Sequence, residues 1–202
     1  MIAVVDYGVG NLYSVQRSLA YIGAESEITS DIAALRRADK ILLPGVGAFK
    51  DAAEKLKKSG LDKAIIEEAV GGKPLLGICL GMQLLFDKSF EYGEYEGLGL
   101  IKGVIKPLFC KNEYNLKIPQ MGWNALKLKK QSALTSLISD GDYVYFVHSY
   151  SAQECSGSIV ATAEYGAEIT AVAQNGNVFG TQFHPEKSGA VGLNILRAFD
   201  RL

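Results

Sequence analysis

Lys73-Pro74-Leu75-Leu76-Gly77-Ile78-Cys79-Leu80-Gly81-Met82-Gln83-Leu84-Leu85-Phe86 is the stretch on which the reading of this chain turns. Pro74 to Ile78 is a short apolar run opened by proline and closed by small residues, the mark of a buried strand. Leu80, Leu84 and Leu85 then recur at helical spacing with Gln83 on another face, so a helix starts there. Cys79 stands at the junction, with one glycine two residues before it and another two after. Gly-x-Cys-x-Gly is the spacing of a nucleophile elbow. A sharp strand-to-helix turn strains its central residue and leaves no room for side chains on either flank. The turn aims the thiol at the positive end of the helix, a setting that favours thiolate. It also frees the N–H of Leu80 to face a developing oxyanion. A buried structural cysteine between packing glycines is the plainer alternative, and the rest of the chain decides between the two.

Upstream, Ile2–Asp6 reads as a strand and Asn11–Ile22 as an amphipathic helix ended at Gly23, with Leu12, Val15, Leu19 and Ile22 on one face. Between them lies Asp6-Tyr7-Gly8-Val9-Gly10-Asn11. Its glycines invite a dinucleotide reading, but the third glycine of that fingerprint would fall at Tyr13, so a tight surface loop fits better. Ser26–Thr29 and Asp39–Leu43 are further strands. Their alternation with helices predicts an α/β fold: a doubly wound, mostly parallel sheet of the flavodoxin-like kind. The third strand ends in Pro44-Gly45-Val46-Gly47-Ala48-Phe49, and a helical stretch to Ser59 follows. Glycines on both sides of Val46 let its peptide turn either way, which would supply a second oxyanion donor.

Downstream the pattern changes. Short strands follow one another at Ile101–Pro107, Ala125–Leu128, Tyr143–Val147, Ile159–Glu164, Ile169–Gln174 and Val178–Gln182, with Asn175-Gly176 as a two-residue hairpin signal. The C-terminal half is thus expected to add antiparallel strands to the same core. A helix from Ser188 to Leu202 closes the chain, with Ser188 as its N-cap.

A thiolate nucleophile needs a base, and the base needs an orienting group on its far nitrogen. Gln182-Phe183-His184-Pro185-Glu186-Lys187-Ser188 supplies both. In extended backbone residues i and i+2 face the same way, so Glu186 can brace His184, and Pro185 stiffens the segment. The other of the two histidines, His148, has no carboxylate at a comparable offset and reads as a structural or loop histidine, with a spare-base role left open. Cys79, His184 and Glu186 make a triad of natural sequence separation.

Composition sets the limits. With 202 residues, 48% apolar and 21% charged, the chain suits a single domain over residues 1–202. Its formal charge of −1 gives no electrostatic case for nucleic acid or an anionic membrane surface, and Lys57-Lys58 and Lys129-Lys130 are too short for basic tracts. No apolar run approaches the roughly 18 residues of a membrane span. Met1–Asp6 lacks the basic region of a signal peptide. Three cysteines, one of them better explained as reactive than bridged, point to a reducing cytoplasm. Cys110 and Cys155 carry no motif and read as structural. The motifs call for no cofactor and no metal.

Taken together, these motifs resemble those of class I (triad) glutamine amidotransferases, and within them the glutaminase subunits of imidazole glycerol phosphate synthases. The resemblance covers nearly the whole chain. It rests on Asp6-Tyr7-Gly8-Val9-Gly10-Asn11, Leu43-Pro44-Gly45-Val46-Gly47, the elbow, Ile118-Pro119-Gln120-Met121-Gly122-Trp123-Asn124, Tyr145-Phe146-Val147-His148-Ser149-Tyr150 and the His184 segment. It departs at Gln120, where the family usually carries histidine. The resemblance implies that Cys79 attacks the amide of glutamine, that His184 moves protons and that Glu186 orients it. It implies that the N–H groups of Val46 and Leu80 hold the oxyanion, and that Gly47, Gln83, Glu91, Ser149 and Tyr150 bind the substrate. Asn11, Gln120, Met121, Trp123, Tyr145 and Lys187 are implied to face a cyclase partner or the ammonia exit, in a heterodimer. A cysteine hydrolase on the same elbow, a nucleotide-binding module using Gly8 and Gly10, and a glutaminase serving a different synthase are the competing readings.

Overall fold

The computed structural model describes residues 1–108 and 116–202; Cys110 lies outside the described residues. Five parallel strands form the centre: β1 (Ile2–Val5), β2 (Ser26–Thr29), β3 (Lys40–Leu43), β4 (Leu75–Ile78) and β13 (Val178–Thr181). They stand in the order β2-β1-β3-β4-β13, the doubly wound arrangement that the sequence predicts. Antiparallel β12 (Glu168–Asn175), β11 (Ile159–Glu164), β8 (Gln120–Leu128) and β9 (Tyr143–His148) extend it to nine strands. Parallel central strands are covered on both faces, so β1 and β4 are buried at every position.

The two faces separate two cores. Val5, Ile41 and Leu43 point to one, beneath α3 (Phe49–Ser59) and α4 (Leu61–Val70), where Phe49, Leu56 and Ile65 pack. Ile2, Val4 and Leu42 point to the other, beneath α1 (Leu12–Tyr21) and α6 (Gly189–Asp200), with Leu19, Leu196 and Phe199. One strand with period-two alternation therefore feeds both layers.

Four local expectations are revised. Ile101–Pro107 (β7) does not join the main sheet. It pairs with β5 (Phe86–Ser89) and β10 (Tyr150–Gln153), and β5 with β6 (Tyr95–Glu96), in a separate four-stranded sheet whose β5, β6 and β10 were not anticipated. These strands are short, and Phe86–Ser89 follows the elbow helix directly, so its apolar residue continues the helical pattern in sequence. β8 begins at Gln120 rather than Ala125, because Gln120-Met121-Gly122-Trp123-Asn124 pairs residue by residue with β9. The hairpin loop is Gly176-Asn177, since Asn175 and Val178 still pair. Ser188 precedes α6 without capping it. Its hydroxyl donates to the His184 carbonyl at 2.7 Å and accepts from the Tyr145 N–H at 3.0 Å, tying the last strand's exit to β9.

The elbow helix α5 (Leu80–Leu84) is only five residues long and wholly buried. It fits because of the glycines. A Cβ at Gly77 would lie 2.6 Å from the Gly81 carbonyl oxygen, and one at Gly81 would lie 1.9 Å from the carbonyl oxygen of Leu43. Gly81→Ala is therefore expected to destabilise the protein by about 3 kcal/mol or more, the range of overpacked cores. Chemical denaturation monitored by circular dichroism checks this, with Gly157→Ala, a position where an added Cβ meets nothing within 4 Å and the backbone φ is not positive, as the control.

Candidate active site

Cys79 takes φ 55° and ψ −110°, a left-handed backbone that L residues rarely adopt. Its N–H donates to the Thr181 carbonyl at 2.7 Å, which pins the strained residue to the neighbouring strand β13. The thiol opens on a cleft of about 410 Å³ at the carboxyl ends of the parallel strands, where ligands collect in open α/β sheets. Val46, Gly47, Leu80, Gln83, Glu91, Ser149, Tyr150, His184 and Lys187 line the same cleft.

His184 shares the cleft with Cys79, whose thiol donates to the Val147 carbonyl at 3.9 Å, and its Nδ1 bonds Glu186 Oε1 at 2.8 Å. The pair is buried, with side-chain exposures of 3% and 1%. The segment is not the extended run anticipated. His184 leaves the strand and Pro185–Lys187 forms a 3-10 turn, which curls Glu186 back beneath the imidazole. Burial pushes the His184 pKa down, but the hydrogen bonds to Cys79 and Glu186 and their negative charge outweigh it and raise it to about 9.

The oxyanion candidates lie on the other wall. Leu80 is the first residue of α5. Val46 is 41% exposed at the cleft edge, followed by Gly47 at φ 94°. Tyr7, given no role from sequence, donates its hydroxyl to the Pro44 carbonyl at 2.8 Å and holds this segment from behind. Burial, and then the charge of Cys79, raise the Tyr7 pKa, so it stays a neutral donor.

Glu91 accepts from the Phe49 N–H at 2.6 Å, joining the loop after β5 to the start of α3. Gln83 spends both amide hydrogens, on the Tyr150 carbonyl at 3.0 Å and on Gln182 Oε1 at 3.1 Å. Gln182 Nε2 in turn reaches Cys79 Sγ at 3.8 Å. Gln182 was overlooked in the sequence, although its position two residues before His184 is a signal that the two face one way. His148 also lines the cleft, buried beside Phe146 with ring centroids 5.7 Å apart. Burial lowers its pKa to about 4, against the pull of its bond to the Tyr150 carbonyl, and the nearby His184 adds to the lowering.

Of the exit residues, only Lys187 lines the cleft. Asn11 closes the first loop ahead of α1. Met121 and Trp123 turn outward, 63% and 52% exposed, and the Trp123 ring packs edge-on to Tyr145 at 6.0 Å. Gln120, one step along the same strand, turns inward and is fully buried. Among the described residues no group of three His, Cys, Asp or Glu side chains could hold a metal ion. No helix of the described residues is long and apolar enough to cross a membrane.

A reactive thiol, a charged imidazole and a bracing carboxylate form a unit suited to acyl transfer. The family model described as glutamine amidotransferase class-I matches residues 3–200. The chain is 46% identical over 203 residues to imidazole glycerol phosphate synthase subunit HisH of Oceanobacillus iheyensis, covering 100% of this chain and 99% of that one. It is 49% identical over 199 residues to the subunit of the same name from Lactococcus lactis, covering 98% and 96%. A solved glutamine amidotransferase superposes with a TM-score of 0.76 at 17% identity, over 98% and 97% of the two chains, and shares the fold.

With His184 at about 9, the imidazolium that protonates a leaving group persists up to that pH and is lost above it. The alkaline limb of kcat/KM for glutamine is expected near pH 9. Glu186→Gln removes one raising charge and should move that limb to lower pH; an unmoved limb would show that Glu186 does not tune His184.

Proposed function

The chain belongs to the class-I glutamine amidotransferase family, and from that premise we propose that it is the glutaminase subunit of an imidazole glycerol phosphate synthase. In this reading it is a single domain that hydrolyses glutamine and passes ammonia to a cyclase subunit in a heterodimer. The observation that carries the chemistry is His184 held between Cys79 and Glu186, with Nδ1 at 2.8 Å from the carboxylate. A reaction run on a free thiol suits a reducing cytoplasm.

Cys79 attacks the carboxamide carbon of glutamine and a C–S bond forms. His184 gives its proton to the amide nitrogen, the C–N bond breaks, and ammonia leaves a γ-glutamyl thioester. Water then attacks with His184 as base, the C–S bond breaks, and glutamate departs. The N–H groups of Leu80 and Val46 stabilise the two oxyanions. Gly47, Gln83, Glu91, Ser149 and Tyr150 hold the amino acid end of the substrate. A positioned base contributes about 10²–10⁴ in rate and one oxyanion donor roughly 10²–10³. In this reading Asn11, Gln120, Met121, Trp123, Tyr145 and Lys187 serve the partner-facing side and the exit of ammonia, with Met121 and Trp123 exposed for contact.

The direct test is Cys79→Ala. Glutamine hydrolysis should vanish while the fold persists, and the variant bound to its synthase should still support product formation from ammonium. Residual turnover at the unmutated rate would end the assignment. Co-purification from the native host identifies the synthase, and recovery of one that does not act in histidine biosynthesis would replace the cyclase.

Regulation follows from the Val46 segment. Tyr7 anchors Pro44, whereas Val46 sits exposed between Gly45 and Gly47. A peptide turned away from Cys79 leaves the oxyanion one donor short, a cost of about 2.7–4 kcal/mol. The isolated chain is therefore expected to be slow, and a partner carrying its own ligand to raise kcat more than it lowers KM by favouring one peptide state. Steady-state kinetics of the chain alone, with partner, and with partner plus ligand decide this: equal kcat in all three would mean an already assembled site.

A further inference from the structure

Four buried side-chain acceptors of the described residues have no hydrogen-bond partner, Asp62 Oδ1, Gln120 Oε1, His148 Nε2 and Glu186 Oε2, and two of them stand opposite each other. Among the described residues, nothing donates to His148 Nε2 or to Gln120 Oε1, and both atoms are buried. They are cross-strand neighbours: Gln120 on β8 stands directly opposite His148 on β9, so their side chains share one face of the sheet. His148 opens on the same cleft as Cys79 and His184.

The acceptor character of each atom is fixed by its surroundings. His148 Nδ1 lies 2.8 Å from the Tyr150 carbonyl, which can only accept, so Nδ1 carries the hydrogen. A neutral ring then leaves a lone pair on Nε2, and burial keeps His148 neutral, with a pKa of about 4. On the other strand, Asn124 Nδ2 donates to the Glu164 carbonyl at 3.0 Å, which leaves Asn124 Oδ1 to face Gln120. Gln120 Nε2 donates to that Oδ1 at 2.8 Å. The amide orientation of Gln120 is thereby chained to a backbone carbonyl, and Oε1 is the end turned loose. One hydrogen of Gln120 Nε2 is spent on Asn124, and His148 Nε2 receives no hydrogen bond from the other.

An unmade hydrogen bond on a buried polar atom costs about 1–3 kcal/mol, so a facing pair of such acceptors calls for a small donor with two or more hydrogens. We propose that His148 Nε2 and Gln120 Oε1 form a seat for neutral ammonia, taking the nitrogen that departs from Cys79 before it leaves the protein. This rests on the glutaminase reading, which supplies the ammonia. A neutral histidine suits the task, because it accepts an N–H without offering the proton that would turn ammonia into non-nucleophilic ammonium. The same chemistry would seat water in the resting protein, so the test has to separate the two.

The chain has only two histidines, so a nitrogen-15 histidine spectrum of the whole protein resolves the neutral His148 ring from the charged His184 ring. Ammonium chloride is titrated at mildly alkaline pH, kept about one unit below the His184 pKa of about 9 so that the two rings stay distinct, and at mildly acidic pH, where free ammonia is far scarcer. A saturable shift of His148 Nε2, larger in the alkaline arm at equal total concentration, is expected. Gln120→Leu removes one acceptor and should weaken that response about fivefold; Gln120→Met serves if the leucine variant does not fold. No response means the seat holds water only, and an equal or larger acidic response means a cation site; either overturns the proposal, as does a response unchanged in the Gln120 variant. Glutamine hydrolysis by the same preparation is measured in parallel. Cys79-dependent hydrolysis without a His148 response rejects the seat alone, whereas loss of hydrolysis in the partner complex rejects the glutaminase reading itself.

Discussion

Gly81 lies so close to β3 that a Cβ on it would sit 1.9 Å from the Leu43 carbonyl oxygen. That single approach brings the end of one strand against the first turn of the helix that follows another. Pro44 to Gly47 continues from Leu43, so the segment bearing Val46 is laid across the N-terminus of α5 beside Cys79. Gly77 makes the matching approach from the strand side, 2.6 Å from the Gly81 carbonyl. With the two glycines in place the helix can start at once after β4, and Cys79 is left with the strained φ of 55°. The strain is held by the Thr181 carbonyl on one side and by a fully buried helix on the other. The Cys79 turn and the Val46 segment, proposed as nucleophile and oxyanion wall, are thus products of one packing contact rather than of two separate loops.

The second organising feature is electrostatic. Two histidines line one cleft, and their surroundings drive them in opposite directions. His184 has a carboxylate at 2.8 Å and a thiol on its other face, and is held charged to about pH 9. His148 has only a backbone carbonyl and aromatic neighbours, and is held neutral to about pH 4. A charged His184 disfavours a second charge nearby and so adds to the neutrality of His148. Two like side chains with separated titrations can divide acid–base work from neutral hydrogen bonding.

What the sequence revealed follows from how local each signal is. The elbow was legible because its constraint acts within five residues, and a glycine on either side of a cysteine is a steric statement. β1, β3 and β4 are legible because each is an apolar run between breakers, whereas β2 is Ser-Glu-Ile-Thr, and Val178–Thr181, expected with the antiparallel additions, pairs parallel to β4. Glu186 was placed correctly beside His184 for an incomplete reason: both sit on one side, but through a 3-10 turn rather than an extended strand. The small sheet was missed because β5 begins immediately after α5, where Phe86 serves either pattern, and β6 has only two residues. Tyr7 and Gln182 carry weaker signals: their partners, Pro44 and Gln83, are distant in sequence, and only Gln182 has a spacing, two residues before His184, that points to the site.

β8 and β9 connect the chemistry to the surface. Period-two alternation gives Gln120 and Asn124 to the protein side of β8, and Met121 and Trp123 to the outside. Opposite them on β9, Val144, Phe146 and His148 are buried, while Tyr145 meets Trp123. The exposed aromatic and methionine side chains and the buried polar pair are therefore neighbours through a single layer of backbone. His184 is tied to this layer as well, because its N–H donates to the Tyr145 carbonyl at 3.0 Å and Ser188 bridges the two segments. The ladder therefore joins the strand that exposes Trp123 to the segment that carries His184.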